Sequence, residues 1–243
     1  IRNLKPQTSN LKPQTSSLKP QTSHLKAQTS NLNLLPIYNM NTRPWQLIRN
    51  SLISNTPVML LYVLESKGSS PGRQGFYMAV SATGAMEGSI GGGMMEHKLV
   101  ELAKEQLRKG FSRPGVRRQL HDKSAATDQS GVICSGEQTI FLYPVTQQDQ
   151  PAVTALLQSL EQYRNGTLVL SASGIALSET IPSTDFSFTR SSETDWEYRE
   201  KTGYKHQLFI IGGGHCALAF SKLMRSLDFY ITLFEERKDL PTI

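Results

Sequence analysis

Cysteine is nearly missing from this chain. Its 243 residues hold two, Cys134 and Cys216, which excludes a disulfide framework and suits a reducing, cytoplasmic setting. Long apolar runs are missing as well. The longest, Val58 to Leu64, is too short to cross a bilayer as a helix, so no membrane partner is expected. The N-terminus lacks the apolar stretch of a secretory signal and does not begin with Met, which points to Met40 as a natural start. Acidic residues are absent from residues 1–39, which carry five of the 26 basic ones. The formal charge of +6 therefore belongs mostly to that tail. The rest is close to neutral, which argues against nucleic acid as a partner.

The tail repeats Leu-Lys-Pro-Gln-Thr-Ser, with leucines at Leu4, Leu11, Leu18, Leu25 and Leu32. The period of seven suggests a coiled coil, but one apolar position per heptad is filled and Pro6, Pro13 and Pro20 interrupt the turns. Residues 1–39 are expected to be disordered.

The chain from residue 40 onward is organised around Gly88-Ser89-Ile90-Gly91-Gly92-Gly93-Met94. Before it, Trp45, Ile48, Leu52 and Ile53 share one helical face. Val58 to Leu64 reads as a buried strand, Glu65 to Gly75 as a loop, and Phe76 to Val80 and Ala85 to Ile90 as further strands. After it, Met95, Leu99, Leu102, Ala103 and Leu107 recur at helical spacing up to Gly110. Glycines at a helix entrance admit close approach, and the helix N-terminus favours negative charge. The turn is a candidate anion cradle or, equally, a tight turn that binds nothing.

Val116 to Leu120 and Glu137 to Val145 read as strands, with a second glycine-flanked turn at Gly131 to Gly136 between them. Asp149 is expected to N-cap a helix carrying Val153, Leu156, Leu157, Leu160 and Tyr163, with Gly166 as its stop. Thr167 to Ser171 reads as a strand. Residues 173–204, rich in Ser, Thr and Glu, read as a short meander and linker. His206 to Ile211 then begins a strand, Gly212-x-Gly214-x-x-Ala217, a helix with Phe220, Leu223, Met224 and Leu227 inward, and a strand ending at Glu235. That order is the opening of a dinucleotide-binding unit, with Glu235 placed for a ribose hydroxyl. The chain stops at Ile243, before the further strands such a domain needs. The expected fold class is α/β: a mixed α/β domain over 40–172, a linker over 173–204, and the first half of a Rossmann-like domain over 205–243.

Four blocks together resemble the xanthine dehydrogenase accessory factor family of the XdhC/CoxI type. They are Gly68-Ser69-Ser70-Pro71 with Arg73 and Gly75, Gly88 to Gly93, Val132-Ile133-Cys134-Ser135-Gly136, and Ile210 to His215 with Glu235-Glu236-Arg237. The resemblance implies a non-catalytic maturation factor. Such a factor binds the molybdenum cofactor as cargo, protects it while its sulfur is installed, and passes it to a molybdenum hydroxylase apoenzyme. A cysteine desulfurase is an implied further partner, and a homodimer is compatible with the family. The cargo is an anionic pterin, which Ser69, Ser70, Arg73, Gly91, Gly92 and Gly93 would suit chemically. The two glycine turns then read as one shallow electropositive seat. Many family members place Cys directly after the first turn, whereas this chain has Met94, a neutral thioether that cannot act as a thiolate. Cys134 could take over if the fold brings it near, and is otherwise a small buried hydrophobe. Glu96 and His97 either meet the ligand or serve to cap the helix or face solvent. Gly212, Gly214, His215 and Glu235 would contact a nucleotide or phosphate. They also support an alternative reading, an NAD(P)-dependent oxidoreductase, against which no dehydrogenase-like acid or base is found.

Overall fold

The computed structural model describes residues 42–110, 114–120, 136–162, 164–204 and 206–237, apart from residues 226, 228 and 236. The disordered-tail expectation and the turn containing Cys134 lie outside the described residues.

Helix α1 (Arg43–Ile53) starts with Pro44 in its first turn, where the missing N–H costs nothing. Trp45, Ile48 and Leu52 form its buried stripe. Strand β1 (Val58–Lys67) is central in an antiparallel sheet that also contains β2 (Tyr77–Ser81), β3 (Met86–Gly88), β4 (Gly115–Leu120) and β5 (Glu137–Val145). The order across this sheet is β3-β2-β1-β5-β4. A bulge between Val63 and Glu65 interrupts the β1–β5 register. The carbonyl of Leu64 there accepts from Gln74 Nε2 at 2.9 Å, so this acceptor is paired at the irregularity.

The alternation along β1 divides the core. Met59, Leu61 and Val63 face helix α2 (Gly93–Lys109), against Met95, Leu99, Val100, Ala103 and Leu107. Leu60, Tyr62 and Leu64 face the other way. That second face is covered by α1, by helix α3 (Gln150–Glu161) and by another sheet. The expected stop of α3 at Gly166 is corrected: the helix ends near Gln162, and Gly166 opens a strand. Asp149 takes the N-cap position of α3 as expected, but its side chain makes no capping hydrogen bond to that helix. Its carboxylate accepts from Tyr143 Oη at 2.9 Å and from the Thr146 amide at 2.8 Å, tying a single 3-10 turn to β5.

The second sheet is the largest departure from expectation. Strands β6 (Gly166–Ser171), β7 (Gly174–Ser178), β8 (Phe186–Arg190) and β9 (Trp196–Thr202) pair antiparallel in the order β7-β6-β9-β8. Of the meander and linker expected over 173–204, the meander is present and the linker part is folded as well, with Trp196 and Tyr198 in the core. Glu197, Arg199 and Lys201 on the outer row of β9 make the segment read as polar and conceal its period of two.

Strand β10 (His206–Ile211), helix α4 (His215–Arg225) and strand β11 (Phe229–Phe234) form a parallel βαβ unit, as the spacing predicts. The expected inward row on α4 is corrected: Phe220 and Leu223 are 44% and 61% exposed, and Leu227 just beyond the helix is also exposed. No described helix is long and apolar enough to cross a membrane.

Candidate functional site

Three glycines join the loop after β1, the turn before α2 and the start of β5. A Cβ on Gly72 would overlap the carbonyl oxygen of Ile90 and the side-chain nitrogen of Gln138. A Cβ on Gly91, whose φ is 127°, would lie within 3 Å of Gly72 and Pro71 backbone atoms. A Cβ on Gly136 would stand 2.6 Å from the Ser70 amide nitrogen. Backbone thus lies on backbone at this junction, which side chains would hold apart. Gln138, fully buried on β5, donates from Nε2 to the Ile90 carbonyl at 3.1 Å and fixes the turn to the sheet.

The donors expected to face a ligand are largely engaged within the protein. Ser70 is buried, and its hydroxyl donates to Gly72 O at 3.0 Å. Ser69 is exposed. Arg73 is exposed too, with Nη1 donating to Gly68 O at 3.1 Å across the loop. The Gly91 amide donates to Ser89 Oγ at 3.1 Å. One oxygen of Glu96 accepts from the Ile90 amide at 2.9 Å, the Gly92 amide at 2.9 Å and Ser89 Oγ at 2.7 Å. The open cradle expected at this turn is thereby corrected: it folds around an internal carboxylate. The reason is local. Glu96 lies on the first turn of α2, where the amides and the helix dipole favour an anion, and it is tethered there. Gly93, Met94 and His97 are exposed, Met94 to 58%.

The second glycine turn closes in the same way. The Gly212 amide donates to Phe234 O at 2.7 Å, and the Gly213 amide donates to the Glu235 carboxylate. Arg237 donates to Glu235 from Nε at 2.9 Å and from Nη2 at 3.0 Å. That guanidinium, then the Arg237 and Gly213 amides, hold the Glu235 carboxyl at about 2, well below the usual range. Gly214 O accepts the Leu218 amide at 3.0 Å inside the helix, and His215 and Cys216 are exposed at its start. A ribose hydroxyl would compete with Arg237 for Glu235. The single electropositive seat expected across both turns is likewise corrected, since each turn is neutralised by its own carboxylate. Among the described residues, no three His, Cys, Asp or Glu side chains converge to hold a metal.

Sequence reasoning singled out the turn glycines but missed Gly72 and Gln138. A glycine between Pro71 and Arg73, and a lone amide in the apolar β5, were the available signals.

The geometry describes a mixed α/β domain with a glycine-knotted strand-to-helix turn. Residues 52–119 match the sequence model of the XdhC and CoxI family. This segment contains both the 68–75 loop and the 88–93 turn, so the resemblance read from those blocks is borne out there. An uncharacterised Escherichia coli K12 protein, YqeB, is 33% identical over 90 residues, which are 36% of this chain and 16% of that protein. A Bacillus halodurans crystal structure described as a xanthine dehydrogenase superposes with a TM-score of 0.54 at 18% identity. That match covers 78% of this chain and 61% of the other, and the likeness is one of fold. The chain thus spans only part of the length of both relatives.

Proposed function

We propose that this chain is part of an accessory factor for xanthine dehydrogenase-type molybdenum hydroxylases, with the molybdenum cofactor as its cargo. The observation that carries the reading is that the family segment contains the two loops locked together through Gly72 and Gly91. Cargo contact falls to the groups left at the surface of that junction. Arg73 offers a guanidinium suited to a phosphate, and Ser69 a hydroxyl. The start of α2 at Gly93 and Met94 adds helix-terminal amides. Glu96 sets the condition for binding. An incoming phosphate either sits outside the Glu96 carboxylate, on Arg73 and Ser69, or displaces it from the Ile90 and Gly92 amides. Met94 supplies only a neutral thioether, so tight metal ligation at this position is not part of the proposal. Sulfuration of the cargo, a cysteine desulfurase partner and a cytoplasmic location belong to the same reading.

The test is transfer. The protein, isolated from cells making the cofactor, is mixed with a cofactor-free molybdenum hydroxylase, and recovery of hydroxylase activity is followed. Recovery that falls several-fold with Arg73→Ala supports the reading. No recovery with a folded protein, alone or with a desulfurase, overturns it.

The alternative, an NAD(P)-dependent oxidoreductase, gains less support, because Glu235 is already engaged by Arg237 and Gly213.

A further inference from the structure

Among the described residues, β10, α4 and β11 pack chiefly on one another. Ile210 and Ser221 are buried inside this βαβ unit. The Gly212 to Gly214 turn also closes within it, through Phe234 and the Glu235–Arg237 pair. The face of β10 that carries Phe209 and Ile211 lies open, with those residues 60% and 89% exposed. Two bodies of one chain move relative to each other by default, unless a large apolar interface joins them.

The joint follows β9. Gly203 there has φ 90°, a left-handed conformation that a side chain resists. A Cβ at this position would stand 2.4 Å from Asn165 Oδ1 and 2.6 Å from the Arg164 carbonyl oxygen. The chain therefore passes tight against the loop before β6. Tyr204 makes the tie. Its amide donates to Asn165 Oδ1 at 2.9 Å, and its ring lies 5.0 Å from the ring of Tyr230 on β11. Gln207 Nε2 on β10 donates to Tyr204 Oη at 3.4 Å. Tyr204 thus touches both bodies, by its backbone on one side and by its side chain on the other. Asn165, Gly203 and Tyr204 are all half-buried, so water can replace the amide contact at modest cost.

We propose that the βαβ unit turns as one body about Gly203 and Tyr204, and that the Asn165–Tyr204 hydrogen bond latches one of its positions. Glycine suits a pivot, because it takes either sign of φ at similar cost. Hinge motions are absorbed by a few residues at the ends of elements. The Gly212 to Gly214 turn travels with the unit, since its contacts lie inside it. The 88–93 turn stays with the first sheet, where Gln138 holds the Ile90 carbonyl. The hinge thereby sets the separation between the two glycine turns. A latch of one half-exposed hydrogen bond and one ring contact leaves the open position populated to roughly 0.1–10%. The inference does not rest on the cargo reading.

Pulsed electron–electron distance measurement on the full chain tests it. Spin labels on Cys216, exposed at the start of α4, and on Lys98→Cys, exposed on α2, span the joint, with Cys134→Ser removing the other thiol. A control pair, Lys98→Cys with Ser187→Cys on β8 in a Cys134→Ser, Cys216→Ser background, lies within the first body. The expected result across the joint is a main distance and a minor second one. In Asn165→Ala the share of the second should rise about fivefold, the weight of one hydrogen bond. Tyr204→Ala, which keeps the amide and removes the ring contact, should raise it several-fold. The control pair should keep one distance throughout. The proposal is overturned if the pair across the joint gives the same single distance in the parent chain and in both variants. It is also overturned if the control pair changes along with it, since the chain would then be unfolding rather than turning.

Discussion

Glu96 reaches back four residues to accept the amide of Gly92 at 2.9 Å. The same oxygen holds the Ile90 amide and the Ser89 hydroxyl. A helix entrance suited to a bound anion thereby carries an anion of its own. Removing it should have two opposite effects. Glu96→Ala should lower stability by roughly 1–3 kcal/mol, the usual cost of stranding partly buried donors. It should also free those donors for inorganic phosphate. Chemical denaturation measures the first effect, and phosphate protection against thermal unfolding measures the second. Unchanged stability would mean that the carboxylate does not hold the turn.

Gly72 and Gly93 separate space from backbone conformation. Gly72→Ala would drive a methyl into the Ile90 carbonyl and the Gln138 amide group. It should cost several kcal/mol or prevent folding. Gly93 has φ 68° and open space around it, so Gly93→Ala should cost only about 1 kcal/mol of backbone strain. Urea midpoints of the two variants check the contrast; similar losses would refute the backbone junction.

Alkaline pH should loosen the core. Burial, ahead of the neighbouring carboxylates, raises the ionisation of Tyr62, Tyr198 and Tyr143. A raised folded value means that the stabilisation is complete below the unfolded value of about 10 and is lost as pH rises beyond it. Urea midpoints should hold steady from pH 7 to 9 and fall above about 10. Tyr143→Phe should make that fall shallower, and an unchanged slope would exclude Tyr143 as a contributor.

Acid should act on the βαβ unit. The Glu235 carboxyl is held at about 2, first by the Arg237 side chain. A depressed folded value gives stabilisation that is present above the ordinary carboxyl range and disappears as pH falls toward 2. The amide resonance of Gly213, which donates to Glu235, should titrate with a midpoint near that value. It should move up toward the ordinary carboxyl range in Arg237→Ala. A midpoint already in that range in the unsubstituted protein would mean that the pair does not form in solution.

Where one pattern dominated, the sequence was legible. The unbroken apolar run of β1 and the 3.6-residue spacing of α2 and α4 stood out as strand and helix signals. Trp196, Tyr198, Glu200 and Thr202 obey a period of two, yet Glu197, Arg199 and Lys201 between them made β9 resemble a linker. The turn glycines were visible as a motif. What engages their amides was not, since only the folded geometry decides whether Glu96 turns back to the turn or out to solvent. Gly72 went unnoticed because its requirement is steric: its neighbours, Ile90 and Gln138, are distant in sequence.

The central claim is that the locked junction of the 68–75 loop and the 88–93 turn serves a molybdenum-pterin cargo. The most direct measurement is the molybdenum and pterin content of the protein isolated from cells that make the cofactor. The account predicts both in near-equal amounts per chain, falling several-fold in Arg73→Ala while the fold remains intact. Neither molybdenum nor pterin with the folded protein, or equal retention by Arg73→Ala, would contradict it.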